Sequence, residues 1–181
     1  MSGAPEDLLE QARIALLALA QERPWRHIAL RDVAERAGIP LTSLYAQAPS
    51  KLDLLARLSA HYDTVAMGAS VGDSEDMHDR LFDSVMARVE AMEPDRAALA
   101  AMARETPRLA IASHLPLTAR AILETAGLEA TPPRIAAMAA LWARVVQVWR
   151  DDDGALNRTM AEIDQRLKQM RSALGRIGAG F

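Results

Sequence analysis

The sequence predicts an all-α fold, and three observations carry that expectation. Alternating runs of strand length are missing, and β-branched residues are sparse. Ala, Leu, Met, Arg and Glu, all strong helix formers, dominate the chain. Pro and Gly then cut the helical pattern at Pro24, Gly38, Pro49, the stretch 68–74, Pro94, Pro107, Pro116, Gly127 with Pro132 and Pro133, and Gly154, which leaves about nine helices.

The first helix spans about 5–22, with Leu8, Leu9, Ala12, Leu16 and Ala20 on one face. Pro24 and Trp25 turn the chain, and Ile28 leads into LRDVAERAG, a short helix that Gly38 ends as a left-handed cap. A second short helix, about 41–47, opens at Pro40, whose fixed φ and missing N–H suit a first turn. Two short helices joined by a Gly turn form a helix-turn-helix, although a three-helix bundle without a binding role has the same periodicity. Ser50 with Asp53 makes a variant capping box that starts a longer helix near 51–67. The expected division is a head at 1–50 and a larger helical part at 51–181.

Composition limits what such a chain does. Half of its 181 residues are apolar, enough to bury a core. The absence of cysteine excludes disulfides and thiolate metal sites and suits a reducing interior. Acidic residues near the start argue against a signal peptide, and no apolar run approaches the roughly 18 residues of a membrane span. A soluble cytoplasmic protein is expected. Net charge is -3; residues 1–62 carry seven Lys plus Arg and seven Asp plus Glu, so any affinity for nucleic acid rests on local placement. No catalytic signature of the cysteine-nucleophile, Gly-rich-loop, HExxH or GxSxG kind is present. No enzyme activity, cofactor or metal is expected.

At residues 8–58 the chain resembles the TetR family of bacterial transcriptional regulators. The resemblance lies in Trp25, Val33-Ala34, Ala37-Gly38-Ile39, Leu44-Tyr45 and Pro49-Ser50-Lys51 followed by Leu54-Leu55. It implies a recognition helix at 41–47 in the major groove of double-stranded operator DNA, with its neighbours on the phosphates. Leu41, Thr42, Ser43 and Gln47 suit base edges or phosphates. The Tyr45 ring suits packing with its hydroxyl on a phosphate, or a core place with a wet tip. Lys51 opposes the dipole of its own helix, so a phosphate partner is expected instead. Arg31 and Arg36 suit backbone contacts or plain solvation. Four residues depart from the family pattern: Ala29 and Pro40 replace hydroxyl caps, Ala48 replaces a ring, and Ala46 leaves the recognition helix without a cation.

Two heptad seams follow. Ile135, Met138, Trp142, Val145 and Trp149 repeat at three and four residues, as do Met160, Ile163, Leu167, Met170, Leu174 and Ile177. Such seams pack within a domain or across two chains; the family resemblance implies the second, a homodimer through a four-helix bundle. Between head and seams, Met67, Phe82, Met86, Met102, Ile111 and Leu115 are expected to line a chamber for a small apolar or amphipathic effector, with ordinary core as the alternative. His61, His78 and His114 suit a polar end of that chamber, with an ordinary surface or satisfied place as the alternative for each. The segment 149–170, with the DRLFDSVMARVEAM helix, is also similar to TetR-fold lipid-binding accessory proteins of ubiquinone biosynthesis. That second resemblance implies lipid and enzyme partners and a vestigial head. Asp73, Glu75, Asp76 and Asp79, and the run Asp151 to Asp153, are expected to serve helix starts and solvation rather than a cation.

Overall fold

The computed structural model describes residues 5–69, 74–106, 114–152 and 154–181. Among them it is helical throughout: α1 (Pro5–Glu22), a 3₁₀ turn (Trp25–His27), α2 (Leu30–Ala37), α3 (Leu41–Gln47), α4 (Lys51–Gly68), α5 (Met77–Met92), a second 3₁₀ turn (Glu93–Asp95), α6 (Arg96–Glu105), α7 (Leu115–Thr125), α8 (Pro132–Arg150) and α9 (Asn157–Arg176). No described helix is long and apolar enough to cross a membrane. Two compact units result, Met1–His61 with Asp95–Ile111 and Tyr62–Pro94 with Ala112–Phe181.

In the first unit α1 packs against α2, α3 and α6. Its apolar face supplies Ala12, Leu16 and Leu19, which close on a core containing Val33, Leu44 and Ala98, all with at most 4% of their surface exposed. Each large aliphatic side chain so buried contributes about 1.5–3 kcal/mol. The expected boundary at residue 50 therefore falls inside this unit, because the face α1 turns away from the short helices is covered by α6, not left to solvent.

Local signals set the ends of these helices. Gly38 is left-handed (φ 68°), and beyond it the Ile39 N–H donates to the Ala34 carbonyl at 3.0 Å, closing α2. Ala29 has no side chain to cap α2, but the Asp32 carboxylate accepts the Ala29 N–H at 2.6 Å, which supplies one half of a capping box. That hydrogen bond, followed by Arg23, holds the Asp32 carboxyl below its usual range. Pro40 stands one residue before α3 and its carbonyl accepts from Ser43 and Leu44. At α4 the Asp53 N–H donates to the Ser50 hydroxyl at 3.2 Å, and that hydroxyl donates back to the Asp53 carboxylate at 2.6 Å.

In the second unit α8 packs on α7 and α9, and α5 packs on the same two helices. This changes the reading of the heptad seams. Met138, Trp142, Val145, Trp149, Ile163, Leu167, Met170 and Leu174 are at most 5% exposed in the single chain. These side chains fill their own chain's core, so they are not the contact surface of a second chain. The seam is apolar for either purpose, and the presence of α5 and α7 in the same unit decides between them. Only Met160 (41% exposed), Ile177 (66%) and the half-buried Ile135 remain within reach of a partner.

The aspartate run resolves into a cap. The buried Asp152 carboxylate accepts both the backbone N–H of Thr159 at 2.9 Å and its hydroxyl at 2.7 Å, while Leu156 takes a left-handed conformation (φ 57°) so that the chain can enter α9. Asp153 lies outside the described residues.

Candidate nucleic-acid interface

The α2–α3 pair presents its residues unevenly. Leu44 and Ala48 are fully buried, which anchors α3 by one face. Leu41, Thr42, Tyr45 and Ala46 are exposed, and Ser43 and Gln47 are half-buried at the edges. A seven-residue helix thus offers the hydroxyls of Thr42 and Tyr45 and the apolar side chains of Leu41 and Ala46 on its open face. Tyr45, at 59% exposure, is not a core residue, which removes the core alternative for its ring. Ala48 sits in a space already closed, so the missing ring leaves no open gap at the end of α3.

The cations around this face are largely engaged. The Lys51 ammonium donates to the Trp25 carbonyl at 3.0 Å and lies 4.7 Å from the Trp25 ring centroid. Burial lowers its pKa, with Asp32 and Glu105 opposing that effect. A partner inside the protein thus explains the cation in the first turn of α4, where a phosphate was the expected one. Arg36 forms a two-pronged pair with Glu22, and this hydrogen bonding holds the Glu22 carboxyl low. Arg26 pairs with Glu105 at 3.2 Å. Arg31 is exposed and makes no ion pair among the described residues.

Arg57 was not legible as part of this site. It donates to the carbonyl of Gln47 at 3.3 Å, placing a cation at the C-terminal end of α3, where the helix dipole favours one. The ten-residue separation crosses the 48–50 turn and follows no helical spacing.

The expected effector-lining residues fall in both units. Met102 is buried in the first unit, whereas Met67, Phe82, Met86 and Leu115 belong to the second. Phe82, Met86 and Leu115 are half-buried and Met67 is 46% exposed. Ile111 lies outside the described residues, as do Asp73 and the chain 107–113. His78 faces Asp164 at 3.1 Å.

The core of the second unit instead contains a charge. Arg88 is 3% exposed; its Nε donates to Asp63 at 2.6 Å, its Nη2 donates to the Thr118 hydroxyl at 3.1 Å, and its guanidinium lies 4.8 Å from the Trp142 ring centroid. Burial pulls the guanidinium's pKa down while Asp63 pulls it up. The signal was in the sequence: Leu81, Val85, Arg88 and Met92 are spaced four, three and four, so Arg88 stands where the core stripe calls for an apolar residue. Among the described residues no three His, Asp or Glu gather in a metal-holding group.

The chain has the TetR fold. It is similar to a TetR transcriptional regulator from Rhodococcus sp. RHA1, with a TM-score of 0.68 and 18% identity over 91% of this chain and 96% of that one. A TetR-family transcriptional regulator from Streptomyces coelicolor aligns at a TM-score of 0.55 with 17% identity, over 94% of this chain and 84% of its own. The dihydroxyacetone kinase operon activator DhaS aligns at 0.57 with 9% identity, over 93% and 97%. No family model matches the sequence, and no curated protein does.

Proposed function

We propose that the protein is a transcriptional regulator that binds operator DNA through α3, acts as a homodimer, and releases the operator when a small amphipathic molecule binds the second unit. The observation that carries the reading is the exposure pattern of α3: Leu44 and Ala48 are buried, while Leu41, Thr42 and Tyr45 are left open to solvent. An isolated bundle helix has no need to expose a tyrosine and a leucine together. Thr42 and Gln47 take the base edges, Ser43 and the Tyr45 hydroxyl take phosphates, and Arg31 adds a backbone contact. Arg57 holds the C-terminal end of α3, Lys51 ties α4 to the turn before α2, and both offer their remaining N–H groups to the phosphates.

The homodimer uses the outer surfaces of α8 and α9, since their seams are internal. On α8 the exposed row is Ala136, Ala140, Arg144 and Gln147; on α9 Met160 adds apolar area. The effector class is amphipathic, because the second unit carries Arg88 in its interior beside the half-buried Phe82 and Met86.

One observation favours a second reading, a lipid-binding accessory protein with a vestigial head: Lys51, Arg36, Arg26 and Arg57 all donate to groups of their own chain. A selection of genomic fragments by the intact protein at low and at physiological salt separates the two. Retention of one sequence class supports the regulator; uniform, weak, salt-sensitive retention supports the accessory protein.

A further inference from the structure

The first unit carries a cleft of about 350 Å³ whose wall includes Ala20, Glu22, Arg23, Trp25, Arg104 and Glu105. Its position at the end of α1, against α6, is remote in sequence from the open face of α3, and nothing in the proposed DNA contacts uses it.

The charges in this wall are not balanced by one another. Glu22 accepts from Arg36, and Glu105 accepts the Arg26 backbone N–H at 3.1 Å and its guanidinium at 3.2 Å. Both carboxylates are therefore neutralised by arginines that do not line the cleft. The two arginines that do line it keep donors uncommitted. Arg104 donates only its Nε–H, to the Ala100 carbonyl at 3.1 Å, and its terminal nitrogens have no partner among the described residues. Arg23 reaches Asp32 at 3.3 Å through Nη2, and its Nη1 has no partner among the described residues.

We propose that this cleft is a binding site for a small anion, a molecule bearing a carboxylate or a phosphate held by the guanidinium groups of Arg23 and Arg104. The planar fork of arginine matches both oxyanions. The Trp25 side and the methyls of Ala20 and Ala101 give the remainder of the molecule an apolar wall. The volume lies at the small end of ligand sites, roughly 300–1,000 Å³, so a metabolite of a few carbons fits and a lipid does not. A cation meets two guanidinium groups in this wall and is not a ligand.

Titration calorimetry of the full chain tests the site with inorganic phosphate and, separately, succinate as probes, at an ionic strength held constant with sodium chloride. Saturable binding of at least one probe is expected. It should weaken about tenfold or more in Arg104→Met, and stay unchanged in Arg120→Met, an exposed arginine of α7. Arg104→Lys keeps the charge without the fork and should fall between; it serves as the readout if Arg104→Met melts early. Absence of saturable binding by both probes, or equal affinity in the wild type and Arg104→Met, overturns the site. The oxyanion could instead come from a DNA phosphate, so DNA affinity in probe-free buffer is the second arm. It should be the same in Arg104→Met and wild type, and a loss there would reassign the cleft to the DNA backbone and sink the small-anion proposal.

Discussion

Lys51 and Trp25 are joined twice, by a hydrogen bond of 3.0 Å from the ammonium to the backbone carbonyl and by the ammonium's place 4.7 Å from the ring centroid. The first turn of α4 is thereby tied to the turn that precedes α2. Lys51→Met keeps the aliphatic stem and removes both contacts, and should destabilise the head by about 0.5–2 kcal/mol. If one of the remaining N–H groups also reaches a phosphate, the salt slope of DNA binding falls by about 1. Thermal melts and salt titrations of the same variant read the two roles apart: a lower Tm with an unchanged slope assigns Lys51 to the head alone.

On α3, Thr42→Ala or Gln47→Ala should relax preference at particular base pairs by about 1–3 kcal/mol each. Tyr45→Phe should leave the fold intact, because the ring is exposed, and weaken binding to every sequence alike. Competition binding against a panel of single-base operator variants checks both. Equal losses at all positions for Thr42→Ala would remove it from base readout.

Arg88 and Asp63 form the buried pair of the second unit. Arg88→Ala strands the Asp63 carboxylate beside apolar side chains and should cost about 3–5 kcal/mol, whereas the double variant Arg88→Met with Asp63→Leu should recover most of that loss. Urea unfolding of the three proteins gives the comparison. A single variant as stable as the wild type would mean that water reaches this centre.

The seam and surface positions of α8 and α9 should separate sharply. Leu167→Asp places a charge at a position with no exposure and should unfold the chain, with loss of the far-UV helical signal. Ala140→Glu, on the exposed row of α8, should keep that signal and shift sedimentation from dimer to monomer. A dimer that survives Ala140→Glu moves the contact to another surface.

Acid should loosen the packing of α9. The Glu162 carboxyl is held below the usual carboxylate range first by its hydrogen bond from Arg166, then by Arg144, and Asp164 likewise by Lys168 and then His78. Their folded-state pKa values lie below the unfolded ones, so the unfolded chain takes up protons first. Their contribution is complete above the unfolded values near 4 and is lost as pH falls through the lower folded ones. Stability measured from pH 6 down to pH 2 should therefore fall from about pH 4, and fall less steeply in Glu162→Gln.

Most helix ends were legible because a single residue type enforces each: Gly38 at φ 68°, the Ser50 and Asp53 exchange, and the Pro132–Pro133 start of α8. The exposed face of α3 was legible for the same local reason. What the sequence left open depends on which surfaces meet. Spacing makes Trp142 and Leu167 apolar-facing whether the neighbour is their own chain or another, and only the placement of α5 and α7 chooses. The internal partners of Lys51 and Arg57, the carbonyls of Trp25 and Gln47, are backbone groups that carry no sequence signal, so Lys51 points to a phosphate in the sequence and Arg57 to nothing. Asp152 serves a helix start, as the aspartate run suggests, but its burial under that role carries no local signal.

The first unit is not continuous along the chain, and this bears on how the protein is made. α1 needs α6 to cover its outer face, and α6 begins only at Arg96, after α4 and α5 have been synthesised. The head therefore stays incomplete during synthesis until that later stretch has left the ribosome, and closing the intervening loop carries an entropic cost that short helix pairs do not meet. A nascent chain stopped before residue 96 should leave the α6-facing side of α1 uncovered and need a chaperone. No half-made copy could then occupy a binding site ahead of the finished protein.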